Sequence, residues 1–497
     1  MNKRKDNFTQ VEEPAKQIKR DSKILIQFEN NEGSKLANTL NLNCDIGPQG
    51  LNLILNQLLE NEEPLPYLFK VGEDEVSTSI LEDILQKNKK GLEDTITILY
   101  QPQAIFKVKP VTRCSSTLNG HTEAILTLKF SPDGKYLATG SGDTTIRLWD
   151  LATDTPKQCL QGHKSWVLML EWSPDGNYLA SGGMDNTVIV WDIQNECKKM
   201  ELKGHRKWVS DLAWEPYHIN SKTPRLASGS KDGTIRVWNP INKTTIFTLS
   251  GHTSSVTCIK WGGGGLNSSY KKGVIYSASQ DRSIKLWCGE TGKLITSLDG
   301  HAHWVNSLAL STDFVLRTGP FDHHCRKLET IENAPKVALE RYEQCLKDQG
   351  IKEEILVSGS DDFTMYLWNP FKNNKPIQRM TGHQKLINQV QFSPDGRYIA
   401  SASFDKSIKL WDGKTGNFIH NLRSHVQSVY QLAFSSDSRL IISCSKDSTA
   451  KIFDLKSSNV KVHLPGHLDE VYTIDWSPKG DKVASGGKDK LLKIWRN

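Results

Sequence analysis

Residues 120–149 of this chain read GHTEAILTLKFSPDGKYLATGSGDTTIRLW, and this stretch contains the pattern that decides the fold. A Gly-His pair opens it, a threonine and an aspartate follow in its second half, and a tryptophan ends it. The pattern recurs eight times along the chain, with 42 residues between His121 and His163 and again between His163 and His205. A repeat of this length corresponds to one four-stranded blade of a β-propeller. The sequence therefore predicts a mainly β protein built on an eight-bladed propeller.

Four positions are shared by all eight copies: a histidine, a hydroxyl ten residues before an aromatic, an aspartate six residues before it, and the aromatic itself. The histidines are His121, His163, His205, His252, His301, His383, His425 and His467. The hydroxyls are Thr139, Ser181, Ser228, Ser277, Ser358, Ser401, Ser443 and Ser485. The aspartates are Asp143, Asp185, Asp232, Asp281, Asp362, Asp405, Asp447 and Asp489. The aromatics are Trp149, Trp191, Trp238, Trp287, Trp368, Trp411, Phe453 and Trp495.

A serine, a histidine and an aspartate that recur together suggest nucleophilic catalysis. Eight copies at a fixed spacing cannot each be an active site, however, and a structural role explains the repetition better. Within one blade the four groups can satisfy one another as a buried hydrogen-bonded chain, which keeps their polar atoms paired as they leave water. In the seventh copy the side chain of Phe453 has no N–H to donate, so we expect that blade to lack one of these hydrogen bonds. No other catalytic motif is present, and the sequence predicts a binding protein rather than an enzyme.

The last repeat ends at Trp495, directly after its third predicted strand. We expect Ala104–Val111, ahead of the first Gly-His pair, to supply the missing fourth strand, because pairing the first segment with the last closes the ring and hides its sheet edges. The propeller is therefore predicted to span residues 104–497.

The fifth repeat contains a long insertion. The histidine and the aspartate are 22 residues apart in five copies but 61 apart in the fifth, which places an insertion at about 312–352. Residues 334–343 read as a helix ended by Gly350. The insertion is either a disordered loop or, as its helical segment favours, a segment that orders on a partner. It also contains Asp322-His323-His324-Cys325, which lacks a second ligand pair and is better read as a surface loop than as a zinc site.

Residues 21–103 form a different module. Its predicted elements are a strand at Lys23–Phe28, an alternating run at Leu36–Leu42, a helix after Gly47-Pro48, a strand at Tyr67–Val71, a short helix at Ile80–Leu85 and a strand at Thr95–Tyr100. This order is that of a ubiquitin-like β-grasp domain, and it lacks the Gly-Gly tail of a conjugated modifier. Residues 1–20 are polar and basic, and we expect them to be disordered.

Charge divides the chain. Residues 21–103 carry a net charge of −8, residues 1–20 carry +3, and the remainder carries +12. An acidic module joined to a basic body suggests surfaces for different partners, and the basic one is compatible with RNA. The nine cysteines include no C-x-x-C pair, which favours a reducing compartment. No apolar run is long enough for a membrane span, and no membrane partner is expected.

The combination resembles the Notchless family of WD40-repeat ribosome-assembly factors, and the resemblance covers essentially all of the chain after residue 20. It is carried by the N-terminal β-grasp module and by the following stretches: YQPQAIFKVKPVTR at 100–113, HAHWVN at 301–306, MTGHQKL at 380–386, SASFD at 401–405, LPGH at 464–467 and SGGKDK at 485–490.

This resemblance implies a non-enzymatic role on the pre-60S ribosomal particle in the nucleolus and nucleus. The propeller would dock on rRNA and neighbouring proteins. The ubiquitin-like domain would be bound by the metal-ion-dependent adhesion site of midasin, an AAA+ ATPase, for ATP-driven remodelling. The family's acidic residue corresponds to Glu93, with Asp94 as a competitor, and its carboxylate would complete the shell of a Mg²⁺ that the partner holds, since this cation prefers oxygen ligands.

The resemblance further implies no intrinsic cofactor and no small-molecule substrate, and we expect a monomer. A second hypothesis is an adaptor for a ubiquitin ligase or for Notch signalling. A third is a propeller hydrolase, which would need inward-facing acids or metal ligands around the channel, and none stands out.

Overall fold

The computed structural model describes residues 23–30, 35–36, 39–59, 66–72, 74–76, 79–80, 95–102, 108–195, 198–266, 270, 272–322 and 333–497. The chain forms two compact units, Met1–Ile105 and Phe106–Asn497. No helix among these residues is both long and apolar enough to cross a membrane.

The N-terminal unit is a five-stranded mixed sheet with one helix packed on it. Its elements are β1 Lys23–Glu29, β2 Leu40–Asn43, α1 Pro48–Leu58, β3 Tyr67–Val71, β4 Asp74–Glu75 and β5 Ile96–Pro102. The sheet order is β2-β1-β5-β3-β4, with β1 and β5 parallel and the other neighbours antiparallel. Alternate residues of β1 point into the core, where Ile26 meets Leu51 and Leu55 of α1. The predicted β-grasp fold is confirmed.

Two predicted elements of this unit differ from the structure. Regular pairing of β2 begins at Leu40 rather than Leu36, although Lys35 forms an isolated bridge with Glu29. Of the predicted helix Ile80–Leu85, Ile80 is helical, and the remaining residues lie outside the described part of the chain.

The second unit is an eight-bladed propeller. Blade 1 contains β7 Ile125–Phe130, β8 Tyr136–Ser141, β9 Thr145–Asp150 and β10 Thr155–Gln161; blade 2 contains β11 Val167–Trp172, β12 Tyr178–Gly183, β13 Thr187–Asp192 and β14 Lys198–Lys203. Blade 3 contains β15 Val209–Trp214, β16 Leu226–Ser230, β17 Thr234–Asn239 and β18 Thr244–Ser250; blade 4 contains β19 Val256–Gly262, β20 Val274–Ser279, β21 Ser283–Cys288 and β22 Leu294–Asp299. Blade 5 contains β23 Val305–Leu310, β24 Leu356–Ser360, β25 Met365–Trp368 and β26 Gln378–Met380; blade 6 contains β27 Ile387–Phe392, β28 Tyr398–Ser403, β29 Ser407–Asp412 and β30 Phe418–Arg423. Blade 7 contains β31 Val429–Phe434, β32 Leu440–Ser445, β33 Ala450–Asp454 and β34 Val460–Leu464; blade 8 contains β35 Val471–Trp476, β36 Lys482–Gly487, β37 Leu492–Arg496 and, as its fourth strand, β6 Arg113–Leu118.

The propeller core lies between neighbouring blades. Ile146 and Leu148 of blade 1, for example, pack against Val167, Leu170 and Trp172 of blade 2. The first strands of consecutive blades contact one another, and β35 contacts β7, so the apolar layers continue around the whole ring. Because each blade buries its apolar faces only against its neighbours, no blade can complete a core by itself.

Ring closure occurs as expected in principle but uses a different segment. The strand that completes blade 8 is β6, in which Leu118 pairs with Leu492 and Arg113 pairs with Arg496. The predicted segment, Ala104–Val111, was wrong. Pro110 has no N–H for a sheet ladder, and the described part of that segment packs instead: Val111 is fully buried in the core between blades 7 and 8.

The insertion in blade 5 is folded. It contains α2 Asp313–Thr318 and α3 Ala334–Gln349, and the predicted end of the second helix at Gly350 is confirmed. Gly350 ends α3 in a left-handed conformation with φ of 65°, and the N–H of Ile351 donates to the carbonyl of Leu346 at 3.0 Å. This is the helix-ending arrangement that favours glycine. A fully disordered loop is thereby excluded for residues 313–322 and 333–352, while α2 is too short to have left a periodic signal.

Candidate functional site

The eight blades contain the hydrogen-bonded network that the repeated positions suggest, and we call its histidine, aspartate, hydroxyl and aromatic residue the tetrad of a blade. In blade 1, His121 Nδ1 lies 2.9 Å from Asp143 and His121 Nε2 lies 2.9 Å from Thr139, whose hydroxyl accepts the indole N–H of Trp149 at 2.9 Å. Across the eight blades the histidine–aspartate distances are 2.7–3.1 Å and the histidine–hydroxyl distances are 2.7–2.9 Å. In blades 2 and 3 the members are His163, Asp185, Ser181 and Trp191, and His205, Asp232, Ser228 and Trp238.

The burial of the eight tetrad hydroxyls decides whether they can act in catalysis. All eight hydroxyls are 0% exposed, so no substrate can reach one of them as it would reach a nucleophile. The hydrogen bonds of each tetrad connect the loop that precedes the blade to the turn between its second and third strands. These residues are therefore structural connectors.

The electrostatics of these networks favour ionised aspartates and, in blades 1, 6 and 7, neutral histidines, because the pKa of each of those histidines is lowered by burial. Burial raises the pKa of the Asp405 carboxyl, but hydrogen bonds from His383 and Ser407 and the backbone N–H of Gln384 outweigh it and hold that pKa well below its usual range. Burial lowers the pKa of His383 despite the nearby carboxylate. The tetrad aspartates of the other blades have lowered pKa values for similar reasons.

Blade 7 lacks one link. Ser443 lies 2.7 Å from His425 Nε2, but Phe453 occupies the tryptophan position and donates nothing to the hydroxyl. Phe453 is nevertheless only 1% exposed, so its apolar packing is retained.

The blade 5 insertion docks through a carboxylate that is completely buried. Glu354, just before β24, accepts hydrogen bonds from two backbone N–H groups and three hydroxyls at 2.9–3.1 Å. The donors are Gly263 and Gly264 of the blade 4 loop, Tyr276 of β20, Thr312 directly before α2, and Tyr342 of α3. Burial raises the pKa of Glu354 while these donors oppose the rise.

The glycine run at 262–265 is thus a cradle for an internal carboxylate. A Cβ on Gly262 would clash with Glu354 Oε2, and Gly265 has φ of 109°. No charge of opposite sign contacts Glu354 among the groups described here, so hydrogen bonds alone compensate for its removal from water.

Helix α2 connects blade 5 to the neighbouring blade 4 and to the distant blade 8. Asp313 pairs with Lys260 of blade 4 at 3.7 Å, and Arg317 forms a two-pronged ion pair with Asp475 of blade 8. The first strands of these blades surround the central channel, so α2 lies across one end of it. Burial opposes the charge of Arg317, but Asp475 raises the pKa of the guanidinium above its usual value.

Sequence reasoning missed Glu354, Arg317 and Asp475 because each occurs once and outside the repeated positions. The other predicted site residues cannot be placed. Glu93 and Asp94 lie outside the described residues, as do His323, His324 and Cys325. The described residues contain no cluster of three or more histidine, cysteine or acidic side chains arranged to hold a metal ion.

Comparison with known proteins agrees with this architecture. The NLE (NUC135) domain model matches residues 24–84, and the WD domain, G-beta repeat model matches residues 112–150, 154–192, 196–239, 243–288, 374–412, 416–454 and 458–496. The chain is 47% identical over 369 residues to Protein Notchless of Drosophila melanogaster, an alignment that covers 73% of each chain. The chain belongs to the Notchless family. It is also 48% identical over 403 residues to Ribosome assembly protein 4 of Saccharomyces cerevisiae (78% of this chain, 77% of the relative) and 51% identical over 389 residues to the Notchless protein homolog of Arabidopsis thaliana (78% and 80%).

The solved structures provide a further match. The crystal structure of the computationally designed Ika8 protein is 26% identical, with a TM-score of 0.58, and covers 77% of this chain and 98% of that chain. The repeat model leaves residues 289–373 unmatched, where the structure places β22 of blade 4, β23–β25 of blade 5 and the insertion. The Notchless-family chain thus has one more blade than the repeats its sequence matches.

The missing link in blade 7 predicts unequal effects of the same substitution. Ser401→Ala in blade 6 leaves both His383 Nε2 and the Trp411 N–H without a partner, whereas Ser443→Ala leaves only His425. We expect Ser401→Ala to lower the free energy of unfolding by about 1 kcal/mol more than Ser443→Ala, in denaturant titrations at neutral pH. Equal losses would contradict the proposed role of the indole donor.

The lowered pKa values of the aspartates predict the acid response. Because the unfolded chain binds these protons near pH 4 and the folded chain does so only at lower pH, stability should fall as the pH drops below about 4. Asp405→Asn should reduce the number of protons taken up on unfolding near pH 3 by about one, measured from the pH dependence of the unfolding free energy. Glu340→Gln, at an exposed position of α3, is the matched control, and an equal reduction in it would refute the assignment.

The Glu354 cluster predicts how firmly the insertion is held. Glu354→Gln places an amide N–H₂ among five donors, and we expect it to lower the free energy of unfolding by about 2 kcal/mol or more. Amide hydrogen exchange in α3 should accelerate as the helix detaches. The neighbouring, partly exposed Glu353→Gln serves as the control, and exchange unchanged in both variants would show that Glu354 does not hold the helix.

Proposed function

We propose that this protein is a ribosome-assembly factor of the large subunit. The observation that carries the proposal is 48% identity to Ribosome assembly protein 4 of Saccharomyces cerevisiae, over an alignment that covers more than three quarters of both chains. A second relative with the same printed name, from Chaetomium thermophilum, is 46% identical over 450 residues.

The protein acts in this proposal as a non-enzymatic platform. The repeated Ser, His and Asp groups are used up in internal hydrogen bonds, and the propeller offers a large, mildly basic surface for a particle made of RNA and protein. The site of action would be the nucleolus and nucleus, on the pre-60S particle, with the protein a monomer before it docks.

The N-terminal unit is, in this proposal, the part of the protein that a remodelling ATPase binds. Its acidic character and its β-grasp fold suit recognition by the adhesion site of a midasin-type AAA+ ATPase, as the family resemblance implies. Glu93 would supply a carboxylate oxygen to the Mg²⁺ that this partner holds, since Mg²⁺ binds through a few carboxylates and waters in octahedral geometry. The protein itself then needs no cofactor.

The alternative is an adaptor for a ubiquitin ligase or for Notch signalling, which the relatives named Notchless keep open. Affinity purification of the full-length chain followed by mass spectrometry separates the two. Large-subunit ribosomal proteins and the ATPase should be recovered together, and a cullin ligase recovered in their place would favour the adaptor.

The proposed binding of the N-terminal unit by the ATPase predicts the effect of changing single carboxylates. In a pull-down with the full-length chain, Glu93→Ala and Glu93→Gln should each reduce capture of the ATPase about tenfold or more, because a neutral group cannot replace a charged metal ligand. Chelation of Mg²⁺ should abolish capture, and restored Mg²⁺ should recover it. Asp94→Ala is the control: a loss in this variant with normal binding by Glu93→Ala would assign the contact to Asp94 and reject Glu93.

A further inference from the structure

One face of the propeller allows a comparison of equivalent positions among the eight blades. The loop before each blade and the turn between its second and third strands lie at the same end of every sheet, and the tetrads join them. Next to the tetrad, a backbone hydrogen bond links the third residue after each histidine to the residue before each aspartate. In blade 2, Met184 N–H donates to the carbonyl of Trp166 at 2.8 Å, and in blade 3, Lys231 N–H donates to that of Trp208 at 3.0 Å.

The same bond forms whatever side chain is present. Gly142 donates to Ala124 at 3.0 Å in blade 1, and Gln280 donates to Ser255 at 2.9 Å in blade 4. Folding therefore does not require a large apolar residue at these positions. Trp166 and Met184 are nevertheless 49% and 38% exposed, so blade 2 keeps an unfavourable apolar surface in water. At the equivalent positions of blade 1, Ala124 and Gly142 are enough to form the same backbone hydrogen bond.

Basic side chains surround this apolar surface. Lys164, Arg206 and Lys207 are exposed, and none of them forms an ion pair with a carboxylate in the described part of the chain. The nearest tetrad carboxylates are occupied: Asp185 accepts from His163 and from the N–H of Lys164, and Asp232 does the same from its own blade. We call the set Lys164, Trp166, Met184, Arg206, Lys207 and Trp208 the blade 2–3 patch.

The opposite side of the same face is different. In blade 8, Lys488 pairs with Asp469 at 3.3 Å, and Lys446 of blade 7 pairs with Glu470 at 3.6 Å. These two cations are neutralised within the chain. Lys164, Arg206 and Lys207 of the blade 2–3 patch therefore remain available to a partner, as do single exposed cations of other blades on this face, such as Arg282, Lys385 and Lys406.

We propose that the blade 2–3 patch binds an acidic peptide segment of a partner protein, with one apolar side chain seated against Trp166 and Met184. Exposed tryptophan and arginine are typical of positions that dominate binding energy, and methionine adapts its shape to varied apolar groups. Carboxylates on either side of the apolar residue would pair with Lys164, Arg206 and Lys207.

A single-stranded nucleic acid fits the patch less well. Successive bases need a series of free aromatic faces, but the Lys231 ammonium lies 3.7 Å from the centre of the Trp208 ring and covers one face of it. A continuous polyphosphate would also pass over the ionised tetrad aspartate of each blade. A short acidic segment need place only a few carboxylates, and it can set them beside Lys164, Arg206 and Lys207 and away from the tetrad aspartates and the exposed Glu123 near Trp166.

The proposal does not depend on the role of the N-terminal unit. Its test starts from a random peptide library displayed on phage and selected on the full-length chain, with Trp166→Ala used to remove binders that ignore the patch. We expect the surviving peptides to be rich in Asp and Glu around one large apolar residue. Survivors that are basic or uncharged, or no survivors, would overturn the proposal.

Binding of a selected peptide, measured by fluorescence polarisation, then assigns the residues. Trp166→Ala, which creates the side chain that blade 1 has at Ala124, should weaken binding about tenfold or more, and Lys207→Glu should do the same. Ser255→Ala, at the equivalent position of blade 4, is the control and should leave binding unchanged. Loss of the same size in Ser255→Ala, or tighter binding of oligouridylate than of the peptide with the same dependence on Trp166, would reject an acidic peptide as the occupant.

Discussion

The propeller depends on the buried hydrogen-bonded chain that joins two loops in every blade. Sheets that bury apolar residues only against their neighbours do not specify where their connecting loops lie. The histidine of one loop, paired with the aspartate and the hydroxyl of the same blade, removes that freedom. Blade 7 shows which part of the chain is essential: it retains the histidine, hydroxyl and aspartate but replaces the indole donor with Phe453, whose packing is unchanged. The loop connection, rather than the indole N–H, is therefore the common requirement.

The irregular part of the molecule is held by a different principle. Helices α2 and α3 are not repeated, and their positions rest on single charged groups: Arg317 with Asp475, the partly exposed pair of Asp313 with Lys260, and the fully buried Glu354 among five hydrogen-bond donors. Such groups are costly to bury and are strongly position-specific because every lone pair must find a donor. They place the insertion across one end of the channel without extending the repeated pattern.

This contrast explains how much could be predicted from the sequence. Signals that repeat eight times, or that alternate along a strand such as Lys23–Glu29, gave the propeller and the β-grasp fold directly. Closure of the ring was predicted on the correct physical ground, but the strand was placed too early, since apolar residues such as Val111 serve the core between blades as well as a sheet. Glu354 could not be predicted, because a buried acid with five donors from four separate segments leaves no local pattern. The prediction that Glu93 or Asp94 of the N-terminal unit contacts the metal of a partner rests on the family resemblance alone.

The repeats also separate the demands of folding from those of binding. At the position three residues after the tetrad histidine, alanine, serine and tryptophan form the same backbone hydrogen bond, so the fold places no demand on that side chain. A difference between blades at such a position cannot be attributed to stability, whereas a difference at the buried hydroxyl can. A chain of identical structural units therefore contains its own controls: Ala124 and Ser255 show what folding needs, and the exposed ring of Trp166 is the excess over that need. That excess, together with the cations beside it, is the physical reason to place a partner on this face.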